Sequence, residues 1–289
     1  MYDAEPTTTH AAMASPWLSE SAFVSALNAV HDRGYVIIEN AMSLEDCRQY
    51  RDELERHMAQ SPRGRNVFEG TSSHRLYALL AKSETFAAMV EHPLSLAFAE
   101  HFLGESCLLS ACLSINLHPG ESVQPWHTDD AHIGVAHPHG IFGVSVFWAL
   151  DETTVLNGAT EVLPYSHRWA DVALQGMLQD EHFTQTETAG EDSHGALDSV
   201  HAVMPAGSIM IMRSDVWHRG GANRSESDRL IVTPQYCAGW ARQLENMLLA
   251  VPAERARVLP KRTQELLGYS IHTPFMGYVD GMHPSRVLK

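Results

Sequence analysis

From Cys107 onward the chain becomes a succession of short β-branched and aromatic runs, "CLLSACLSINL", "ESVQPW", "GIFGVSVFWAL", "ATEVL", "VHAVM", "SIMIMRS" and "RLIVTPQYC". Pro, Gly and one Asn-Gly pair separate them, and no helical periodicity intervenes. Parallel strands need a crossover between neighbours, usually a helix, so this grammar excludes a βαβ sheet. Seven or so strands over about 130 residues predict an antiparallel sandwich or barrel. Asn157-Gly158 is a hairpin signal. One connection, 167–199, is too long and too acidic for a turn and is expected to be a lid-like loop.

The first hundred residues read differently. A polar tail, 1–15, is expected to precede a single domain, 16–289. Ser19 is placed to cap a helix carrying Phe23, Leu27 and Val30, which Gly34 ends. "YVIIEN" follows as a strand, and Ser43 with Asp46 opens a second helix. The polar segment 61–75 reads as an exposed loop. Helical patterns over about 83–91 and 93–103 meet at Pro93 and stop at Gly104, and a further short helix is expected near 260–267. The expectation is therefore a mainly β core, about 107–240, with an N-terminal helical layer.

With 20 Lys+Arg against 35 Asp+Glu the formal charge is -15, which repels phosphate backbones and anionic membranes. Nucleic acid and membrane are thus excluded as expected partners, and a small molecule remains. No apolar run is long enough to span a bilayer. The four cysteines, Cys47, Cys107, Cys112 and Cys237, form no C-x-x-C pair, and the first residues do not resemble a signal peptide. A cytoplasmic protein with core cysteines, monomer or homodimer, is expected.

The stretch "QPWHTDDAHIG" holds the densest set of ligand-type side chains. With 18 His and 35 acidic residues in 289, about two His-x-acid triplets are expected by chance, so the triplet His127-Thr128-Asp129 means little alone. On a strand, residues i and i+2 face the same side. His127 and Asp129 can converge on one metal, while Asp130 faces away and His132 lies past the strand end. His218 closes another run, and the turn-rich segment Arg219 to Asp228 leads into "RLIV". If those two strands pair, Arg229 returns beside His218. Two histidines and one carboxylate form the facial set of non-haem Fe(II) oxygenases, with three positions open. A 2-oxo acid can chelate two of them, its far carboxylate matching the fork of an arginine, and O2 takes the third.

On these residues, together with "GYVIIENAMSLEDC", "EHPLSLAFAEHFLG", "FWALDETTVLNGATEVLPYSHRW" and "GYVDGMHPSR", the chain resembles the phytanoyl-CoA dioxygenase (PhyH) family of Fe(II)/2-oxoglutarate oxygenases. The resemblance implies a double-stranded β-helix (jelly roll, cupin-like) core. It implies Fe(II) on His127, Asp129 and His218, with 2-oxoglutarate on Arg229. Gln124, Thr160 and Trp148 are the further cosubstrate contacts it implies. The expected reaction is oxidation of a small organic molecule (hydroxylation, desaturation, epoxidation or cyclisation), with release of succinate and CO2, in natural-product biosynthesis. Halogenating relatives lack the ligand carboxylate, so Asp129 argues against halogenation. The acidic balance argues against a phosphate-bearing thioester substrate.

Two rival readings keep the same barrel: a cupin-like ligand-binding module, and a metal-assisted hydrolase working without 2-oxoglutarate. Neither has a reason to place Arg229 beside the metal. "AHIGVAHPHG", with His132, His137 and His139, reads as a solvated loop at the pocket edge. Trp126 and Trp217 read as core.

Overall fold

A computed structural model describes residues 7–58, 61–170 and 199–289. Nine strands are described: β1 (Tyr35–Ile38), β2 (Ser73–Leu76), β3 (Leu108–Leu117), β4 (Gly143–Ala149), β5 (Glu161–Val162), β6 (Val200–His201), β7 (Ile209–Arg213), β8 (His218–Arg219) and β9 (Arg229–Cys237). They form a six-stranded sheet, β1-β7-β4-β9-β3-β2, and a three-stranded sheet, β6-β5-β8. Every pairing is antiparallel. The two sheets and the helices behind the larger one give the expected double-stranded β-helix with a helical layer.

The helical layer forms for local reasons legible in the residues. In α2 (Glu20–Arg33) the Ser19 hydroxyl accepts from the amide of Ala22, and Gly34 ends the helix at φ 99. Its Phe23, Leu27 and Val30 share one core with Leu94 and Phe98 of α4 (Pro93–Leu103) and with Val144, Val146, Trp148, Leu230 and Val232 of the large sheet. Between them, Ser43 caps α3 (Leu44–Met58) through the amide of Asp46. The alternate faces of the central strands point into the barrel. Ala111, Leu113, Ile115 and Leu117 of β3 lie beside Arg229, Ile231, Thr233 and Gln235 of β9 around one cavity.

Five expectations need correction. Residues Thr8–Ala14 form a helix, α1, with His10 and Ala14 buried, so a free polar tail does not extend to residue 15. The segment 61–75 contains the start of β2, which pairs with β3. "ESVQPW" forms no strand; its following His127 makes an isolated bridge with His218. Asn157-Gly158 does not close a hairpin, because β4 lies in the large sheet and β5 in the small one. Gly158, at φ 84, lets the connection pass within contact of the Gly221 carbonyl, where a Cβ would come to 2.6 Å. Likewise β8 and β9 do not pair: the segment between them crosses from one sheet to the other, so His218 and Arg229 face each other across the cavity instead of lying side by side. Most of the lid-like loop expected at 167–199 lies outside the described residues. Among those residues, no helix is long and apolar enough to cross a membrane, and all four cysteines are buried and unpaired.

Candidate active site

Backbone hydrogen bonds fix the first two ligand-type residues. The amide of His127 donates to the His218 carbonyl (3.0 Å), the amide of His218 donates back (2.9 Å), and the amide of Asp129 donates to the Ser214 carbonyl (2.8 Å). This short extended stretch makes the i, i+2 argument hold without a regular strand. His127 Nε2 stands 3.9 Å from Asp129 Oδ1, and His218 Nε2 stands 3.7 Å from the same oxygen.

The orientation of each ring is set from behind. Nδ1 of His127 donates to the Pro125 carbonyl, and Nδ1 of His218 to the Val216 carbonyl, each at 3.0 Å. Both Nε2 lone pairs are therefore free to face Asp129 Oδ1. Burial, with His218 adding to it, pushes His127 down to about 4, so its ring is neutral at pH 7. The outer oxygen of Asp129 is held by the Ser145 hydroxyl and the Gln235 amide, which are cross-strand partners on β4 and β9. Its inner oxygen is left for a cation. The three side chains have the donor types and convergence that suit a divalent metal such as Fe(II).

The same cavity, of about 350 Å³, is lined by Arg229, Thr160 and Gln124. Arg229 is 2% exposed. Its Nη2 donates to the Gly158 carbonyl (2.6 Å), and its Nε has no hydrogen-bond partner among the described residues. Burial, and secondarily Arg75, push it down to about 10, so it stays charged with little nearby to balance it. A buried guanidinium with donors to spare is a receptor for a carboxylate.

Gln124 sits at the rim. Its Oε1 accepts from the Gly220 amide (3.0 Å) and its Nε2 donates to the Phe68 carbonyl (2.9 Å), so it laces the two sides of the mouth together. Trp148 is misassigned. It is fully buried on the opposite face of β4, its ring against His92 at 4.7 Å in the helical core, and its neighbour Phe147 faces the cavity instead.

Sequence reasoning missed the strap built by residues 67–77. Phe68 sets its ring edge-on to His127 at 4.8 Å. Arg75 ties the strap by donating to the carbonyls of Glu69 (2.8 Å) and Phe68 (3.2 Å). Buried Glu121 holds the amide and hydroxyl of Ser72 and Ser73. The available signal is the apolar pair Val67-Phe68 inside a mostly polar segment. Trp126 and Trp217 turn away from the ligands as alternation requires, but are only half-buried; Trp126 lies under the Arg219 guanidinium.

The reading of "AHIGVAHPHG" as solvated also fails for two of its histidines. The side chains of His137 and His139 are 8% and 5% exposed and turn inward to Asp130. Burial, and then Asp215, push the Asp130 carboxyl up to about 6. Asp130 is consequently not a bystander in the packing.

Comparison with known proteins shows the family and the fold. The family model "Phytanoyl-CoA dioxygenase (PhyH)" matches residues 30–231. The chain is 26% identical to dioxygenase af480 of Aspergillus fumigatus, over 86% of this chain and 76% of that one. It is also 26% identical to dioxygenase cnsJ of Penicillium expansum, over 91% and 81%. Among solved structures it superposes on the non-heme alpha-ketoglutarate-dependent epimerase SnoN from nogalamycin biosynthesis with a TM-score of 0.58 at 18% identity, covering 75% of this chain and 83% of that one. SnoN has also been solved with Fe3+, alpha-ketoglutarate and a nogalamycin compound. With strands, helical layer and family match in agreement over most of its length, the chain belongs to the phytanoyl-CoA dioxygenase (PhyH) family of Fe(II)/2-oxoglutarate-dependent dioxygenases.

Proposed function

We propose that His127, Asp129 and His218 hold the iron, that Arg229 binds the far carboxylate of 2-oxoglutarate, and that the enzyme oxidises a compact, largely apolar small molecule in natural-product biosynthesis. The observation that carries the reading is the buried, under-partnered Arg229 in the same cavity as a two-histidine, one-carboxylate cluster. A metal-binding module or a hydrolase has no use for that cation.

The chemistry supplied by iron with 2-oxoglutarate, when bound, is oxidation of a substrate by O2, with succinate and CO2 as co-products. The protein's part is positioning and exclusion. Arg229 would hold the far carboxylate of the cosubstrate by charge-assisted hydrogen bonds, and Thr160 lines the same cavity. Ser145 and Gln235 keep the Asp129 carboxylate from rotating. Phe68, Phe147, Leu113, Ile115 and Ile231 form an apolar part of the cavity wall, where an apolar substrate group would be favoured over water. Because Asp129 fills the third ligand place, oxygenation and its variants are favoured over halogenation. The natural-product setting is supported by the SnoN likeness, and the formal charge of -15 weighs against a thioester carrying phosphates.

The test is spectroscopic. Fe(II) and 2-oxoglutarate added to the metal-free protein without O2 are expected to give the metal-to-ligand charge-transfer absorption of a chelated 2-oxo acid. Absence of the band in wild type, or an undiminished band in Asp129→Ala/His218→Ala, refutes the assignment.

A further inference from the structure

Behind the proposed iron cluster lies a second group with the same donor types. Asp130 Oδ1 is 3.9 Å from His137 Nε2, and Asp130 Oδ2 is 3.7 Å from His139 Nε2. These separations repeat those within the first cluster, 3.9 and 3.7 Å. In each cluster the three ligand atoms lie within 4.8 Å of one another. The two clusters draw on consecutive aspartates, whose side chains leave the backbone in opposite directions.

Three observations go beyond proximity. First, Asp130 is 4% exposed and, apart from a weak contact with the Thr128 side chain, neither of its carboxylate oxygens accepts a hydrogen bond among the described residues. A buried carboxylate so poorly served is relieved either by a proton or by a cation. Second, Nδ1 of His139 donates to the Gly140 carbonyl at 2.7 Å. In the neutral ring Nε2 is then an acceptor that faces another acceptor, Asp130 Oδ2, with no proton between them. Were the ring charged, 3.7 Å would still be too long for a hydrogen bond. This back-bonded histidine is the arrangement found behind metal ligands, and it matches His127 and His218. Third, the ring of His139 is fixed independently of Asp130. It stacks on Phe142 (4.6 Å, interplanar 3°). Buried Asp215, gripped by Arg213 at 2.8 and 2.6 Å, approaches its Nδ1 side at 3.9 Å.

We infer that Asp130, His137 and His139 form a second, structural site for a first-row divalent cation. Nitrogen and oxygen donors of this kind suit Zn(II) best, with a fourth position left to water. The ion would cross-link the two ends of the 130–140 segment, Asp130 to His137 and His139. Since Asp129 precedes Asp130 directly, it also braces one ligand of the proposed iron site. The inference stands apart from the iron assignment, since it uses none of the same side chains.

The experiment is metal stoichiometry on the full-length protein, stripped with chelator and titrated with Co(II), read by elemental analysis and visible absorption. Wild type is expected to take up two equivalents per chain. Asp129→Ala/His218→Ala should keep one equivalent, and Asp130→Asn/His139→Gln should keep one. In the Asp129→Ala/His218→Ala background, Zn(II) should raise the unfolding temperature. A single equivalent in wild type that is lost in Asp129→Ala/His218→Ala overturns the inference. Two equivalents in Asp130→Asn/His139→Gln also overturn it, since the second ion would then sit elsewhere. Where the double variant fails to fold, His139→Gln alone decides: it should weaken the second equivalent at least tenfold, and unchanged affinity refutes the site.

Discussion

Replacing Arg229 by Met should move two measurable quantities in opposite directions. The guanidinium is 2% exposed, makes one hydrogen bond to a backbone carbonyl, and is held at about 10, well below the usual guanidinium range, chiefly by burial. At about 1.4 kcal/mol per tenfold change in proton affinity, the charged form is disfavoured in the empty cavity by about 3 kcal/mol. Met fills similar volume without that cost, though it abandons the Gly158 carbonyl, a loss of about 1 kcal/mol. The cosubstrate-free variant should therefore be more stable by about 1–2 kcal/mol, a rise of a few degrees in Tm. With 2-oxoglutarate the sign reverses. Removing one member of a buried charge pair costs about 2–5 kcal/mol, equivalent to a Kd weakened roughly 30-fold to several thousandfold. Thermal unfolding of the stripped protein and titration of the charge-transfer band read the two effects, and Co(II) affinity should not change. Arg229→Lys should lose most of the affinity without the gain in stability, because it keeps the charge but not the fork. Unaltered 2-oxoglutarate affinity in Arg229→Met, or parallel loss of metal and cosubstrate, would refute the role assigned to this residue.

Removing both holders of the outer Asp129 oxygen, in Ser145→Ala/Gln235→Leu, should weaken metal binding about 10- to 100-fold while leaving the fold intact, as competition with a chelating dye would show. Trp148→Ala should cost about 3–5 kcal/mol of stability in denaturant unfolding and leave the 2-oxoglutarate Kd as it is; a change in that Kd would return Trp148 to the cavity. His92, His101 and His167 are each pushed down to about 4, first of all by burial. Their unfolded forms titrate near 6.5, so between pH 6.5 and 4 the unfolded chain binds protons that the folded one refuses. Stability is thus full above pH 6.5 and declines as the pH falls toward 4. A Tm that stays flat over that window would contradict their burial as neutral rings. Gly158→Ala should destabilise the fold and weaken 2-oxoglutarate binding together, because its Cβ would come to 2.6 Å from the Gly221 carbonyl at φ 84 while the residue's own carbonyl holds Arg229.

What the residues alone could and could not show follows from the range over which each feature is decided. His127 and Asp129 were legible because two positions on extended backbone share a side whatever the strand pairs with. His218 and Arg229 were legible as chemistry, but their relation was misjudged: a ten-residue, turn-rich connection does not say whether it folds back within a sheet or crosses to another. Trp148 shows a sharper limit. Every residue of β4 is buried, so "GVSVFWA" has no apolar alternation to tell the cavity face from the helical face. A one-residue slip exchanges Trp148 for Phe147, and only pairing with β7 and β9 resolves it. His137 and His139 fail for the opposite reason. Their segment is polar and rich in Gly and Pro, the composition of a solvated loop, yet His139 is packed against an Arg213–Asp215 pair some 75 residues later in the chain. The abundance of histidine that made the His-x-Asp triplet uninformative thus conceals two different things: surface rings of no consequence, and a cluster whose meaning depends on a distant ion pair. Donor spacing within a motif is a local property, whereas the desolvation that makes donors into a site is a tertiary one. A metal-site search by sequence spacing alone will therefore find the first cluster of this protein and pass over the second.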